Sequence, residues 1–181
     1  MRLFFVNLSV LFALSFAQTA WAVTPIPSNS AFTTAITACL AESAVTGNCT
    51  TYAASSGYGT MPNWDVSNVT DMSNAFDNKS GFNADLSSWD TSAVTDMRRM
   101  FRNATEFNQD INSWDVSNVT YMYFMFGRAT EFNQNIGSWD VSKVTNMFAM
   151  FYSSNFNQDI SGWDVSNVTD MSYMFYLNRS F

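Results

Sequence analysis

Five aspartates, Asp65, Asp90, Asp115, Asp140 and Asp164, each follow a tryptophan and recur at intervals of 25, 25, 25 and 24 residues. Carboxylates brought into register by a repeating chain can do two kinds of work. As a row spaced about 4.8 Å they would repel one another by roughly 1 kcal/mol per pair at high dielectric, and so invite a cation such as Ca²⁺ or a basic partner surface. Alternatively, each accepts backbone N–H groups at a local turn, or faces water. Calcium prefers 6–8 oxygens from a compact loop, and no D-x-D-x-D-G segment occurs, so no metal is assigned to the row.

The remaining chemistry is sparse. Histidine is absent and cysteine occurs twice in 181 residues, which removes His-based acid–base catalysis, Ser–His and Cys–His nucleophiles and ordinary zinc sites. The expectation is a protein that is not an enzyme and uses no cofactor. Eight basic residues against 15 acidic ones give a net charge of −7, which argues against nucleic acid as a partner. Three other rows share the aspartate period. Asn83, Asn108, Asn133 and Asn157 read as stacked amides that satisfy turn backbone in successive units, because a side-chain amide both donates and accepts. Thr70, Thr95, Thr120, Thr145 and Thr169 lie one per unit, with no T-x-T strand face of the kind an ice-binding surface would need. The methionines read as core.

These rows need elements to hold them. In the fullest unit, Val119, Met122, Met125, Phe126 and Ala129 fall at a spacing that predicts a helix of about three turns, with Asn118 as its N-cap and Asn68 and Asn167 in the same role elsewhere. Around the tryptophan the pattern alternates, with Ser113, Asp115 and Ser117 on one face and Trp114 and Val116 on the other, which predicts a short strand. A short parallel strand plus a helix in every 25-residue coil gives an α/β solenoid of leucine-rich-repeat type. Helices pack more widely than strands, so its helical wall should splay and the array curve. Residues 64–181 hold four full repeats and an incomplete fifth. The first copy diverges most, with Ala75 and Lys79 where later copies carry Met and, in two of the four, Ala.

Residues 1–22 read as a signal peptide. Arg2 precedes an apolar run from Leu3 to Ala17, and Ala20-Trp21-Ala22 is an A-x-A cleavage site, so the mature chain should begin at Val23 without a lipid anchor and without a transmembrane segment. Export places Cys39 and Cys49 in an oxidising compartment, where a disulfide is expected. Phe32, Ala35, Ile36, Cys39 and Leu40 predict a capping helix over 30–46, and residues 50–62 a connector, so that 23–63 form an N-terminal cap and connector.

Copies of W-D-V-S-N-V-T-x-M-x-x-M-F followed by F-N-Q-D-I resemble the repeats of BspA-like leucine-rich-repeat bacterial surface proteins, over residues 64–181. The resemblance implies a secreted or cell-surface bacterial protein engaged in protein, cell or matrix contact, adhesin-like rather than catalytic. Leucine is scarce here, and Phe, Met, Val and Trp fill the core positions. The polar strip Ser88, Asp90, Ser92, Ser113, Asp115 and Ser117 is the expected partner face. The competing expectation is a passive spacer within a longer surface protein.

Overall fold

Ser28 starts the first helix by accepting the Ala31 N–H on its hydroxyl at 3.2 Å. This helix, α1, spans Asn29–Glu42 and buries Phe32, Ala35, Ile36, Cys39 and Leu40. The computed structural model describes residues 23–181, so the leader and cleavage site read at 1–22 lie outside the described residues. The apolar stripe of α1 is the expected one, but the helix ends four residues before position 46. Its C-terminus feeds a tight loop in which Gly47 has φ +65°, and a Cβ there would meet the Met61 Cβ at 2.8 Å. The disulfide joins Cys39 to Cys49 across this loop. Within the expected connector a second helix, α2, forms over Thr50–Ser56. Its start is capped by the Glu42 carboxylate, which accepts the Thr51 and Tyr52 N–H groups at 2.8 and 3.0 Å. A single 3₁₀ turn at Met61–Asn63 leads into the repeats.

From Trp64 onward the expected α/β solenoid is not formed. Among the described residues the repeats contain no helix and no strand longer than a single bridge, and parallel pairing is reduced to one residue per copy, Asp71 with Asp96, Tyr121, Asn146 and Asp170 in succession. The chain is mostly turn and coil, and its copies stack directly on one another.

The backbone N–H groups explain why no helix forms. Ala75, Asp77 and Lys79 donate within their own coil to Met72, Asn74 and Phe76, closing consecutive tight turns at 3.1–3.3 Å, while Asn74, Phe76 and Asn78 donate to Arg98, Met100 and Arg102 of the next coil at 2.8–3.0 Å. An α-helix would spend every one of these N–H groups inside its own coil and hold neighbours about 8–10 Å apart. Alternate donation satisfies the backbone and keeps coils at one close spacing, so the expected splaying of a helical wall loses its cause. The geometry requires two left-handed residues per coil. Asn74 and Asn78 supply them in the first, Arg99 and Asn103 in the second, Phe124 and Arg128 in the third.

The core is a set of ladders. Phe76, Phe101, Phe126, Phe151 and Phe175 stack with successive ring centroids 5.4–5.7 Å apart, and each lies about 4 Å from a second Phe of its own coil. From Trp114 onward each tryptophan turns its Nε1–H onto a carbonyl before the preceding tryptophan: Trp114 to Leu86, Trp139 to Ile111 and Trp163 to Ile136, at 3.0–3.3 Å. The cap imitates a preceding coil at each ladder. Asn29 Oδ1 accepts the Thr70 N–H at 2.9 Å where later threonines use the carbonyl of the threonine one coil back. Val45 O receives the Asn83 N–H, Met61 O receives Trp89 Nε1–H, and Phe32 packs edge-on against Trp64 and Trp89.

Candidate functional site

The sequence-derived residues are found as follows. Each aspartate of the row accepts the N–H of the serine two residues on, from Ser67, Ser92, Ser117, Ser142 and Ser166 at 2.9–3.1 Å, an Asx turn that fixes the bend after the tryptophan. At Asp65 and Asp90 the serine hydroxyl adds a 2.6 Å bond. The Ser92 and Ser142 hydroxyls, with the N–H groups of the same residues, hold the Asp90 and Asp140 carboxyls below the ordinary range, and the Ser166 N–H leads the same effect at Asp164. Two further Asx rows recur in the coil, at Asp71, Asp96, Asn146 and Asp170 and at Asp85, Asp110, Asn135 and Asp159. Most of the acidity of the repeats is thus engaged in shaping the backbone. Among the described residues no group of three or more His, Cys, Asp or Glu side chains is placed to hold a metal ion.

In the strip around the tryptophan, Ser88, Asp90, Ser113 and Asp115 are exposed while Ser92 and Ser117 are half-buried, although no strand carries them. Two of its hydroxyls are spent on backbone: Ser88 donates to Pro62 O and Ser113 to Ser87 O. Asn118, expected as a helix N-cap, instead donates Nδ2–H to Ser92 O at 2.8 Å, and Asn167 does the same to Ser142 O. The amide row acts as expected. Asn83 Oδ1 accepts the Asn108 N–H, Asn108 Oδ1 the Asn133 N–H and Asn133 Oδ1 the Asn157 N–H, at 2.9–3.1 Å. The threonines form a hydroxyl ladder, each donating to the carbonyl of its predecessor.

A different face carries side chains that change from coil to coil. It lies over the left-handed turns, where the copies disagree. The row two residues before the stacked Phe reads Asn74, Arg99, Phe124, Ala149 and Tyr173, and the neighbouring row Ser73, Arg98, Tyr123, Phe148 and Ser172. Four of the seven basic residues beyond position 22 are here. Arg98 pairs with Asp96 at 2.7 Å, a carboxyl that burial pushes up, and lies over Tyr121 and Tyr123. Arg102 makes a bidentate pair with Asp77 at 2.7 and 2.8 Å. Arg99 lies 5.3 Å over Tyr123, with its Nε buried and without a hydrogen-bond partner. Arg128 lies 5.6 Å over Tyr152, and none of the ion pairs among the described residues involves it. Along the second to fifth coils runs a cleft of about 400 Å³, lined by Arg102, Asn103, Phe124, Arg128, Phe148, Ala149, Tyr152 and Tyr173.

A left-handed conformation costs a residue with a Cβ about 1–2 kcal/mol, least for Asn. The first coil uses Asn at both such positions, whereas Arg99, Phe124 and Tyr173 accept the cost with bulky side chains.

A family described as "Mycoplasma protein of unknown function, DUF285" matches residues 48–155 and, again, 125–181. The chain belongs to the DUF285 family. No curated protein and no solved structure matches it. The DUF285 match takes in α2 and every repeat. That description names no activity, and the chemistry of the variable face has to be argued from its residues. Sequence reasoning missed this face by following the positions that repeat; the usable signal was the positions between Met and Phe that do not.

Proposed function

We propose that this DUF285 protein is a secreted or surface-displayed interaction module, non-catalytic, that holds a protein partner through its arginine and aromatic face. The observation that carries the reading is the replacement, copy by copy, of small polar residues by Arg, Tyr and Phe at positions the scaffold leaves open. Tyrosine and arginine are enriched among residues that dominate binding energy, and a rigid frame lowers the cost of ordering them. The leader-like segment at 1–22 and the Cys39–Cys49 disulfide support export. The likeness of the repeats to BspA-like surface proteins supports display and contact as the role. Among the described residues no helix is long and apolar enough to cross a membrane.

The test is a binding screen against extracellular and cell-surface proteins with three forms of the protein. Arg128→Gln with Tyr173→Ala should lose a partner that the unaltered protein and an Asp115→Lys variant both retain. A partner lost only with Asp115→Lys would move the site to the serine–aspartate strip. Fractionation of cells expressing the protein checks export: retention inside the cell would overturn the surface assignment.

A further inference from the structure

The coils join through a one-way exchange of backbone hydrogen bonds. Carbonyls at the same four positions of every later coil, Asp96, Arg98, Met100 and Arg102 in the second, accept N–H groups of the coil before it at 2.7–3.0 Å. In the first coil the matching carbonyls are those of Asp71, Ser73, Ala75 and Asp77, and among the described residues no backbone N–H reaches them. The cap supplies a substitute for a preceding coil at Thr70, Asn83 and Trp89, but not here. The element beside this edge is α1, whose N–H groups beyond the first turn are spent inside the helix. Its hydroxyls are committed too, Thr33 donating to Asn29 O and Thr37 to Thr33 O.

A groove of about 680 Å³ therefore runs between α1 and the first coil. The helix lines it with Phe32, Ile36 and Leu40, the coil with Ser73, Ala75 and Asp77. Two departures from the repeat shape it. Ala75 is half-buried and stands where later coils carry Met100, Met125 and Met150, all fully buried, so the space of a methionine side chain is open to the groove. Lys79 stands where the second and third coils carry Ala104 and Ala129; it is exposed, lines the groove and makes no ion pair among the described residues.

These features specify an occupant. A row of acceptors needs a polypeptide that donates N–H groups at alternate residues, as each coil does to its successor, and such main-chain pairing along a free edge is a recurring mode of peptide recognition. The space over Ala75 suits a flexible apolar side chain, and Lys79 suits a carboxylate. With Phe32 packed against Trp64 and Trp89, α1 already covers the ring ladder, which leaves room for one segment and not for a whole coil of a second copy.

We infer that the groove between α1 and the first coil binds a single segment of a partner polypeptide, which lies along residues 73–77 with a methionine-sized side chain over Ala75 and an acidic residue against Lys79. This surface is separate from the arginine and aromatic face, and the bound segment completes the hydrogen-bond ladder at the edge that the cap leaves open.

Blocked heptapeptides titrated into the intact protein and followed by amide NMR test it. The parent peptide has a central methionine, an aspartate two residues away on either side, and serine elsewhere. It should bind saturably, with shifts centred on Thr37, Ala41 and residues 73–79. Serine in place of the methionine should weaken it at least about tenfold through lost apolar contact. Lysine in place of both aspartates should weaken it about threefold or more, and Lys79→Ala should remove that preference. Of two forms N-methylated on either set of alternate residues, one should bind at least about tenfold more weakly than the other, because only one set donates to the edge. Ala75→Met, which installs the residue of the later coils, should abolish binding. Should that methionine disturb folding, Lys79→Ala at its exposed position still tests the site. No saturable binding, shifts confined to the arginine and aromatic face, equal affinity of the two N-methylated forms, or indifference to both variants overturns the groove. Self-association of the protein alone, seen by light scattering and abolished by Ala75→Met, would assign the groove to a second copy and overturn the partner segment.

Discussion

Phe124 and Phe126 are the same residue two positions apart in the third coil, and they belong to different regions of the molecule. Phe126 is fully buried, has a Phe at the same position in every copy, and stacks on Phe101 and Phe151 at 5.6 and 5.7 Å. Phe124 is half-buried, left-handed at φ +54°, and its row reads Asn, Arg, Phe, Ala and Tyr. The inner row must be the same in every coil because each ring is both floor and ceiling for its neighbours. The outer row is not part of that continuous stack, and its side chains differ from coil to coil. In this protein identity between copies marks the stacked core, and difference between copies marks positions that the stack does not constrain.

Alanine at the two positions should separate these roles most sharply. Phe126→Ala removes a ring from mid-stack and is expected to cost about 3–5 kcal/mol in chemical denaturation, as large-to-small core changes do. Phe124→Ala should change stability by no more than about 1 kcal/mol. Equal losses would mean that the outer face is part of the core. A second contrast lies within the polar rows. Asn133→Ala leaves the exposed Asn157 N–H, which its Oδ1 accepts, to water and should cost about 0.5–1.5 kcal/mol. Asp115→Asn keeps an acceptor for the Ser117 N–H and should be nearly silent.

Acid should discriminate the turn carboxylates from the buried one. Asp85, Asp90, Asp140, Asp159 and Asp164 have folded values lowered by hydrogen bonds from the serine two residues on. Their contribution is fully present above the unfolded aspartate value and is lost as pH falls through the lowered folded values. Asp96 is raised by burial, so its protonation on the way down favours the folded state and opposes that loss. A tryptophan-fluorescence melt followed from pH 6 to pH 2 should therefore decline in the acid range. Replacing Asp90, Asp140 and Asp164 together with Asn should flatten that decline, because the amide oxygen still accepts the serine N–H but does not titrate.

The period, the core rows, the disulfide, the capping helix and the amide ladder could all be read from residue types and spacing. The fold class could not, for a specific reason. Val119, Met122, Met125, Phe126 and Ala129 are all buried, as a helical stripe would be, but overlapping four-residue turns that start at every second residue bury the same positions. Among the left-handed residues that break the helix are Arg99, Phe124, Ala149 and Tyr173, none of which announces that backbone as glycine would. Of the two readings offered for the five aspartates, the local turn is the one the hydrogen bonds display. Repetition there has a structural cause, since every coil needs the same Asx turn.

The smallest expected effect addresses that hidden breaker directly. Arg99 stands at φ +53° where the first coil has Asn74 at +60°. Asparagine tolerates this conformation better, and Arg99→Asn also removes a guanidinium whose Nε is buried without a partner, so the substitution should raise stability by about 0.5–1 kcal/mol, less whatever the contact with Tyr123 contributes. Ala149→Gly, at φ +54°, relieves the same backbone cost but widens the unfolded ensemble, and the two terms should nearly cancel. A gain at Arg99 beside no change at Ala149 would mean that the outer row carries side chains that the scaffold would be more stable without. A loss at Arg99 would mean instead that its stacking on Tyr123 belongs to the frame, and the boundary between the two regions would move outward by one row.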